Sequence, residues 1–319
     1  MGQAEARAPV MLWVGELLVP FHHGQAHPNA IDRQEVFVDE ARRQGLLDRV
    51  AIGLPRAATR EELLRFHDEA HVNWVRHCSL EGTGQLGDED TLAYSGVYED
   101  AAARVGTALE AAARLMDGTA RRCFQPVGGT HHARRHRGGG FGPFSDIGVV
   151  IESLRAHYGV RRIAYADIDA HHGDGVYDAY QHDPHLAIAD IHQDGATLFP
   201  GTGSAQDTGH GPAAGSKLNL PLAPGATDGQ FQAAWARAQA HLEAREPEFV
   251  ILQCGADSLA GDPLADLCFT AACHEHAARQ LCALADRHAR GRLLVLGGGG
   301  YAAANVAAAW TGVLRALLA

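Results

Sequence analysis

Asp167, Asp169 and His171 stand at alternate positions, with His172 and Asp174 just after them. In an extended chain, side chains at i, i+2 and i+4 point the same way. Asp169 and His171 are then placed to hold one cation together. Asp167, one pleat earlier, is placed to contact a neighbouring histidine or a second ion. Three carboxylates this close to buried strands repel one another without a cation. Gly255-Ala256-Asp257 offers a further carboxylate; alone, Asp257 would be an ordinary helix-capping aspartate. Two acids and one imidazole make a ligand set suited to zinc, and three protein ligands leave a position for water. Gly129-Thr130-His131-His132 adds a histidine pair, and Gly297-Gly298-Gly299-Gly300-Tyr301 a phenol behind four glycines. Glycines let the backbone approach a ligand closely, and a phenol there can donate a hydrogen bond to developing negative charge.

Each of these runs follows an apolar stretch that predicts a buried strand: Cys123–Val127, Ile163–Ile168, Phe249–Leu252 and Leu293–Leu296. In an open α/β sheet, ligands bind just beyond the carboxyl ends of the strands, so the four runs converge at one sheet edge. Leu186–Ile191 and Leu218–Leu220 predict further strands. Tyr98–Met116 carries a helical stripe of Ala101, Val105, Leu109, Ala112 and Met116. Ile31–Gln44, Arg60–His77, Ile147–Tyr158, Asp228–Ala244, Thr270–Ala285 and Ala302–Leu318 also predict helices. Strands alternating with helices imply a mostly parallel sheet covered on both faces. No linker or repeat divides the sequence, so residues 1–319 are expected to form one three-layer α/β domain. Gly82–Thr91, with Asp88, Glu89 and Asp90, predicts an exposed loop.

Not every histidine cluster belongs to this site. His22-His23 lies in a polar stretch with His27 and Pro28 and has no strand leading into it, which suggests a rim or surface feature. Cys273-His274-Glu275-His276 contains metal-binding residue types. On a helix, however, Cys273 and His276 share a face while His274 points away.

The bulk properties bound the partners. A net charge of −11 argues against nucleic acid. The six cysteines form no Cys-x-x-Cys pair and read as free thiols in a reducing compartment. The short apolar run Val10–Val14 suits neither a signal sequence nor a membrane span. A cytoplasmic protein without a membrane or nucleic-acid partner is expected; the sequence leaves the oligomeric state open.

Taken together, these residues resemble the zinc-dependent histone deacetylase and acetylpolyamine amidohydrolase superfamily, including bacterial histone deacetylase-like amidohydrolases. The likeness starts at Glu61–Asp68 and is strong from Gly128 to Trp310. It takes in His131-His132, Gly139-Gly140-Phe141, Asp167–Val176, Phe199–Gly203, Gly255-Ala256-Asp257 and Leu296–Tyr301. It implies the arginase/deacetylase fold and the release of an acetyl or other short acyl group from a small-molecule or peptide acyl-amine. It also implies roles: zinc on Asp169, His171 and Asp257; His131 held by Asp167 and His132 by Asp174; Tyr301 facing the substrate carbonyl. Phe141, Phe199 and Leu264 would line a narrow channel, with the Gly140 carbonyl accepting the substrate amide N–H. The resemblance further implies a structural potassium ion on Asp167, Asp169, His171, Asp190 and Ile191, and hints at a second at Tyr180, Asp183 and Leu186. An acetylpolyamine substrate and a catalytically idle acyl-amine or acetate sensor are the alternatives. Arginase, related in fold, needs an Asp-Ala-His-x-Asp spacing, and here Asp174 comes one residue too late. The chain departs from many relatives at Gly129-Thr130 and Gly142-Pro143, positions that line or support the channel floor. Those changes suggest room for acyl groups longer than acetyl.

Overall fold

The computed structural model describes residues 9–18 and 32–319. Its first half runs β1 (Val10–Trp13), α1 (Arg33–Arg43), β2 (Ala51–Gly53), α2 (Arg60–Leu63), α3 (Glu69–Glu81), α4 (Val97–Met116), β3 (Arg122–Gln125) and α5 (Asp146–Tyr158). There follow β4 (Ile163–Asp167), α6 (Asp174–Tyr180), β5 (Leu186–Gln193), β6 (Lys217–Leu222), α7 (Asp228–Glu243), β7 (Phe249–Gln253), α8 (Ala271–His288), β8 (Leu293–Leu296) and α9 (Ala303–Leu318). Among the described residues the strands form one sheet in the order β2-β1-β3-β8-β7-β4-β5-β6, and every pairing is parallel.

Parallel strands covered on both sides need apolar residues on both faces. In β4 and β8 every residue is buried. Ala164 and Ala166, with Leu293 and Val295, face a core built from α1, α7, α8 and α9. Ile163 and Tyr165, with Leu294 and Leu296, face the opposite core under α2 to α6. The first core is anchored by edge-to-face contacts among Phe37, Phe124 and Trp310, an arrangement that adds to plain area burial.

Two expectations need correction. Arg60–His77 is two helices, because the chain breaks after α2 to bury Phe66 and His67 before α3 begins. Gly82–Thr91 is not wholly exposed: Leu86 and Thr91 are 2% exposed, and Asp88 turns inward to accept the N–H of Gly140 at 2.8 Å. Cys273 and His276 both turn toward α7, meeting Asp228 and Trp235, and His274 points away from that face; it is fully buried and its Nε2 lies 2.7 Å from the Gly255 carbonyl, under the turn that carries Asp257. His22, His23 and Ile31 lie outside the described residues. The six cysteines are free thiols, five of them buried and Cys268 exposed.

Candidate active site

β3, β8, β7 and β4 are consecutive in the sheet, so the segments that follow them open side by side. β4 ends at Asp167 and the chain turns at once. Asp169 and His171 therefore sit in a turn, not on the extended chain that their spacing suggested. The turn is pinned by its own carboxylates: Asp167 Oδ1 accepts the N–H of Asp169 at 3.1 Å, and Asp169 Oδ1 that of His171 at 3.0 Å. Asp257 lies in the short 3-10 turn Ala256–Ser258, and its Oδ1 accepts the N–H of Ala170 at 2.9 Å. Gly299 packs so close that a Cβ there would collide with Asp257 Oδ2.

The candidate ligand atoms of Asp169, His171 and Asp257 all lie within 4.8 Å of one another. His171 Nδ1 is 3.1 Å from Asp169 Oδ1 and 3.3 Å from Asp257 Oδ2. Asp169 Oδ2 is already taken by Gln253 Nε2 at 2.8 Å and the Gly299 N–H at 2.9 Å. Asp257 Oδ2, by contrast, is buried and accepts no hydrogen bond among the described residues. Burial and the neighbouring Asp169 push the Asp257 carboxyl up to about 7. A buried acceptor left without a donor is expensive. A divalent cation between these three groups satisfies it, so the donor set fits a zinc-type ion.

The histidine pair faces the same space. His131 Nδ1 is 2.8 Å from Asp167 Oδ2, and His132 Nδ1 is 2.7 Å from Asp174 Oδ1. The loop before them is held by Asp146 at the start of α5, which accepts the N–H groups of Gly129 and Thr130 at 2.7 and 2.9 Å. The two imidazoles have opposite electrostatics. Burial disfavours charge on His131, but Asp167 and Asp169 outweigh it and raise its pKa to about 10. Burial and the neighbouring His131 outweigh Asp174 at His132 and lower its pKa to about 4. Charge is thus favoured on one ring and disfavoured on the other. Gly140 adopts φ +52° and its α-carbon abuts the His132 ring, leaving no room for a side chain.

Tyr301 is fixed through its N–H to Asp262 Oδ2 at 2.8 Å, and its ring meets Phe141 edge-on at 6.2 Å. Burial pushes the phenol pKa upward, so it stays protonated. A cavity of about 340 Å³ joins these groups, and Gly140, Phe141, Phe199 and Leu264 line it. Phe141 holds φ +66°, a left-handed conformation uncommon for a bulky residue. Such strain clusters at ligand sites. Asp190 lies in register with Asp167 on the neighbouring strand, and Ile191 is buried beside it. The Asp190 carboxylate accepts the Gly173 N–H at 2.9 Å and lies 2.6 Å from His192 Nδ1.

A family model described as the histone deacetylase domain matches residues 27–317. The chain belongs to the histone deacetylase family. It is 35% identical to the acetoin utilization protein AcuC of Bacillus subtilis, over 88% of this chain and 74% of that protein. It is 33% identical to histone deacetylase 8 of Xenopus tropicalis, over 84% of this chain and 73% of that one. For the probable histone deacetylase 19 of Zea mays, the 34% identity covers 91% of this chain but 56% of the relative. Among solved structures, the HD domain of HDA15 superposes with a TM-score of 0.90 at 25% identity, over 98% of this chain and 89% of that one.

Several contributors in this histone deacetylase-family site carried no signal in the sequence. Arg33 lines the cavity, lies 5.5 Å over the Tyr301 ring and donates to the Gly298 carbonyl at 3.1 Å. Arg104, half-buried on α4, also lines the cavity. Both read as polar positions on amphipathic helices. Gln253 is the last residue of β7 and binds the Asp169 carboxylate; only its place at a strand end could have marked it. Arg134 shares Asp174 with His132. Nothing in its position two residues after His132 marked that partner.

Proposed function

We propose that the chain is a zinc-dependent amidohydrolase that removes an acetyl or other short acyl group from an acylated amine such as acetyl-lysine. The supporting observation is that one cavity presents the Asp169–His171–Asp257 cluster, a neutral imidazole backed by an acid, and a protonated phenol.

An ion held by Asp169, His171 and Asp257 would supply Lewis acidity to the amide carbonyl and acidify the attacking water. His132, with Nδ1 committed to Asp174, keeps Nε2 as the acceptor for the proton that water gives up. The same nitrogen then returns a proton to the leaving amine. Tyr301 donates its hydroxyl hydrogen to the oxygen where negative charge develops. His131, charged against Asp167, adds a positive field beside that oxygen. The Gly140 carbonyl accepts the substrate amide N–H, and Phe141 and Phe199 flank the aliphatic stem. Asp167 and Asp190 are two buried carboxylates side by side in register, a pairing that favours a structural potassium ion there, with carbonyls of Asp167, Asp169, His171 and Ile191.

An acetylpolyamine is the second reading. Asp88 and Asp90 line the cavity, and their charge favours a cationic amine. The partner in either case is a small-molecule or peptide acyl-amine. Free thiols favour the cytoplasm, and no helix among the described residues is long and apolar enough to cross a membrane. Intact His132 and Tyr301 weigh against an idle sensor. The test is hydrolysis of acetyl-lysine peptides, acetylputrescine and acetylspermidine by the purified protein, alongside metal analysis. No turnover of any acyl-amine by metal-replete protein would refute the hydrolase reading.

A further inference from the structure

Lys217 opens β6 and is 1% exposed, one of the largest fully buried side chains in the protein. Its Nζ donates to the main-chain carbonyls of Leu186 at 2.5 Å and Asp183 at 2.8 Å, and lies 3.1 Å from Ser216 Oγ. An ammonium has three N–H donors, and three neutral oxygens take them. Among the described residues no carboxylate forms an ion pair with it. The Asp183 carboxylate is engaged elsewhere, by the Arg155 guanidinium and the His185 N–H. A buried ammonium is normally paired with an acid; here a cage of carbonyl dipoles replaces the acid. Burial lowers its pKa to about 8, against the Asp183 charge, and that keeps it cationic at neutral pH.

Two of those oxygens belong to Asp183 and Leu186, residues that the family resemblance marks for a second monovalent cation. We infer that the Lys217 ammonium permanently fills that second site, so the chain takes one structural monovalent ion, beside Asp167 and Asp190, and not two. The count of one rests on the potassium reading given above; the displacement at Asp183 and Leu186 does not. Nζ sits within hydrogen-bond distance of both carbonyls, so a metal ion cannot approach them while the ammonium is there. The tether has a structural use as well. It joins the segment between α6 and β5 to the start of β6 with a cation that cannot dissociate.

The experiment uses the full-length, zinc-loaded protein, crystallised and soaked in thallium(I), a heavy mimic of potassium. The expected anomalous map has no peak between the Asp183 and Leu186 carbonyls and Lys217 density in its place. A thallium peak there, with the side chain displaced, overturns the inference. The Asp167–Asp190 position is scored separately: lack of a peak there counts against the potassium reading alone. In Lys217→Ala, the opened cage should make melting temperature depend on potassium, rising by several degrees over an equal concentration of tetramethylammonium beyond any rise in the parent. A thallium peak at Asp183 and Leu186 should appear in the variant. A folded Lys217→Ala protein with neither response would show that the carbonyls do not form a cation cage. If the variant fails to fold, the map of the parent protein decides.

Discussion

Asp174 divides its carboxylate between two partners: Oδ1 lies 2.7 Å from His132 Nδ1, and Oδ2 accepts from the Arg134 guanidinium. The histidine is therefore oriented by an acid whose own position is fixed from the far side. Asp174→Asn keeps the shape but replaces a charged acceptor with an amide. We expect kcat to fall by about 10², with KM and zinc content near those of the parent. Steady-state kinetics with parallel metal analysis measure both. A change under threefold would remove Asp174 from the acid–base machinery.

Tyr301 should matter only once charge develops on the substrate oxygen. Tyr301→Phe is expected to lower kcat by about 10²–10³ while substrate affinity changes little. Unchanged turnover would mean that the proposed chemistry is wrong.

Asp257 Oδ2 is the buried acceptor without a hydrogen-bond partner that the proposed metal ion would satisfy. Chelation should abolish activity and lower the melting temperature, and zinc should restore both. At a hundredfold excess over Kd, such an ion adds about 2.7 kcal/mol of stability. Asp257→Asn should lose most of the zinc-dependent gain in melting temperature. An equal gain in variant and parent would place the ion elsewhere.

Buried neutral histidines set the acid limit of stability. His67 Nε2 accepts the Ser145 N–H at 2.9 Å, so that nitrogen must be unprotonated. Burial holds its pKa at about 3, and burial likewise holds His274 at about 4. With both folded-state values below the ordinary 6.5, the unfolded chain binds more protons across that window. Their contribution is complete above about 6.5 and is lost as pH falls toward 4. Each group costs about 1.4 kcal/mol per pH unit at most. Denaturant titrations from pH 7.5 to 4.5 should show the decline, and His67→Gln should flatten it by about one proton. A parent whose stability is flat over that range would contradict the assignment.

The cavity floor bears on acyl choice. Thr130 and Gly142 line the cavity and pack against each other, and Thr130 Oγ1 is tied to the Phe144 carbonyl at 2.6 Å. With glycine opposite threonine, we expect butyryl-, octanoyl- and trifluoroacetyl-lysine to turn over faster than acetyl-lysine. Equal or faster hydrolysis of acetyl-lysine would show that the floor gives no extra room.

The strands β3 to β8 and the candidate reacting groups were legible because both obey short-range rules. A buried parallel strand is a continuous apolar run, and Asp169, His171, Asp257 and Tyr301 each follow one within a few residues. What escaped notice depends on distant packing. Arg33 and the Gly298 carbonyl meet across 265 positions of sequence. His274, on α8, supports the Asp257 turn through the Gly255 carbonyl, a contact that helical spacing alone does not reveal. The break between α2 and α3 follows from burying Phe66 and His67, which helical periodicity does not encode.

The candidate zinc ligands, the histidine pair and the tyrosine all follow on four adjacent strands, whereas Phe141 and Leu264 come from strand-to-helix loops, Phe199 from the loop between β5 and β6, and Asp88 and Asp90 from the loop between α3 and α4. Substitutions or insertions in those loops can reshape the entrance while leaving the reactive centre untouched. Descendants of such a scaffold are free to trade one clientele for another without reinventing the cut.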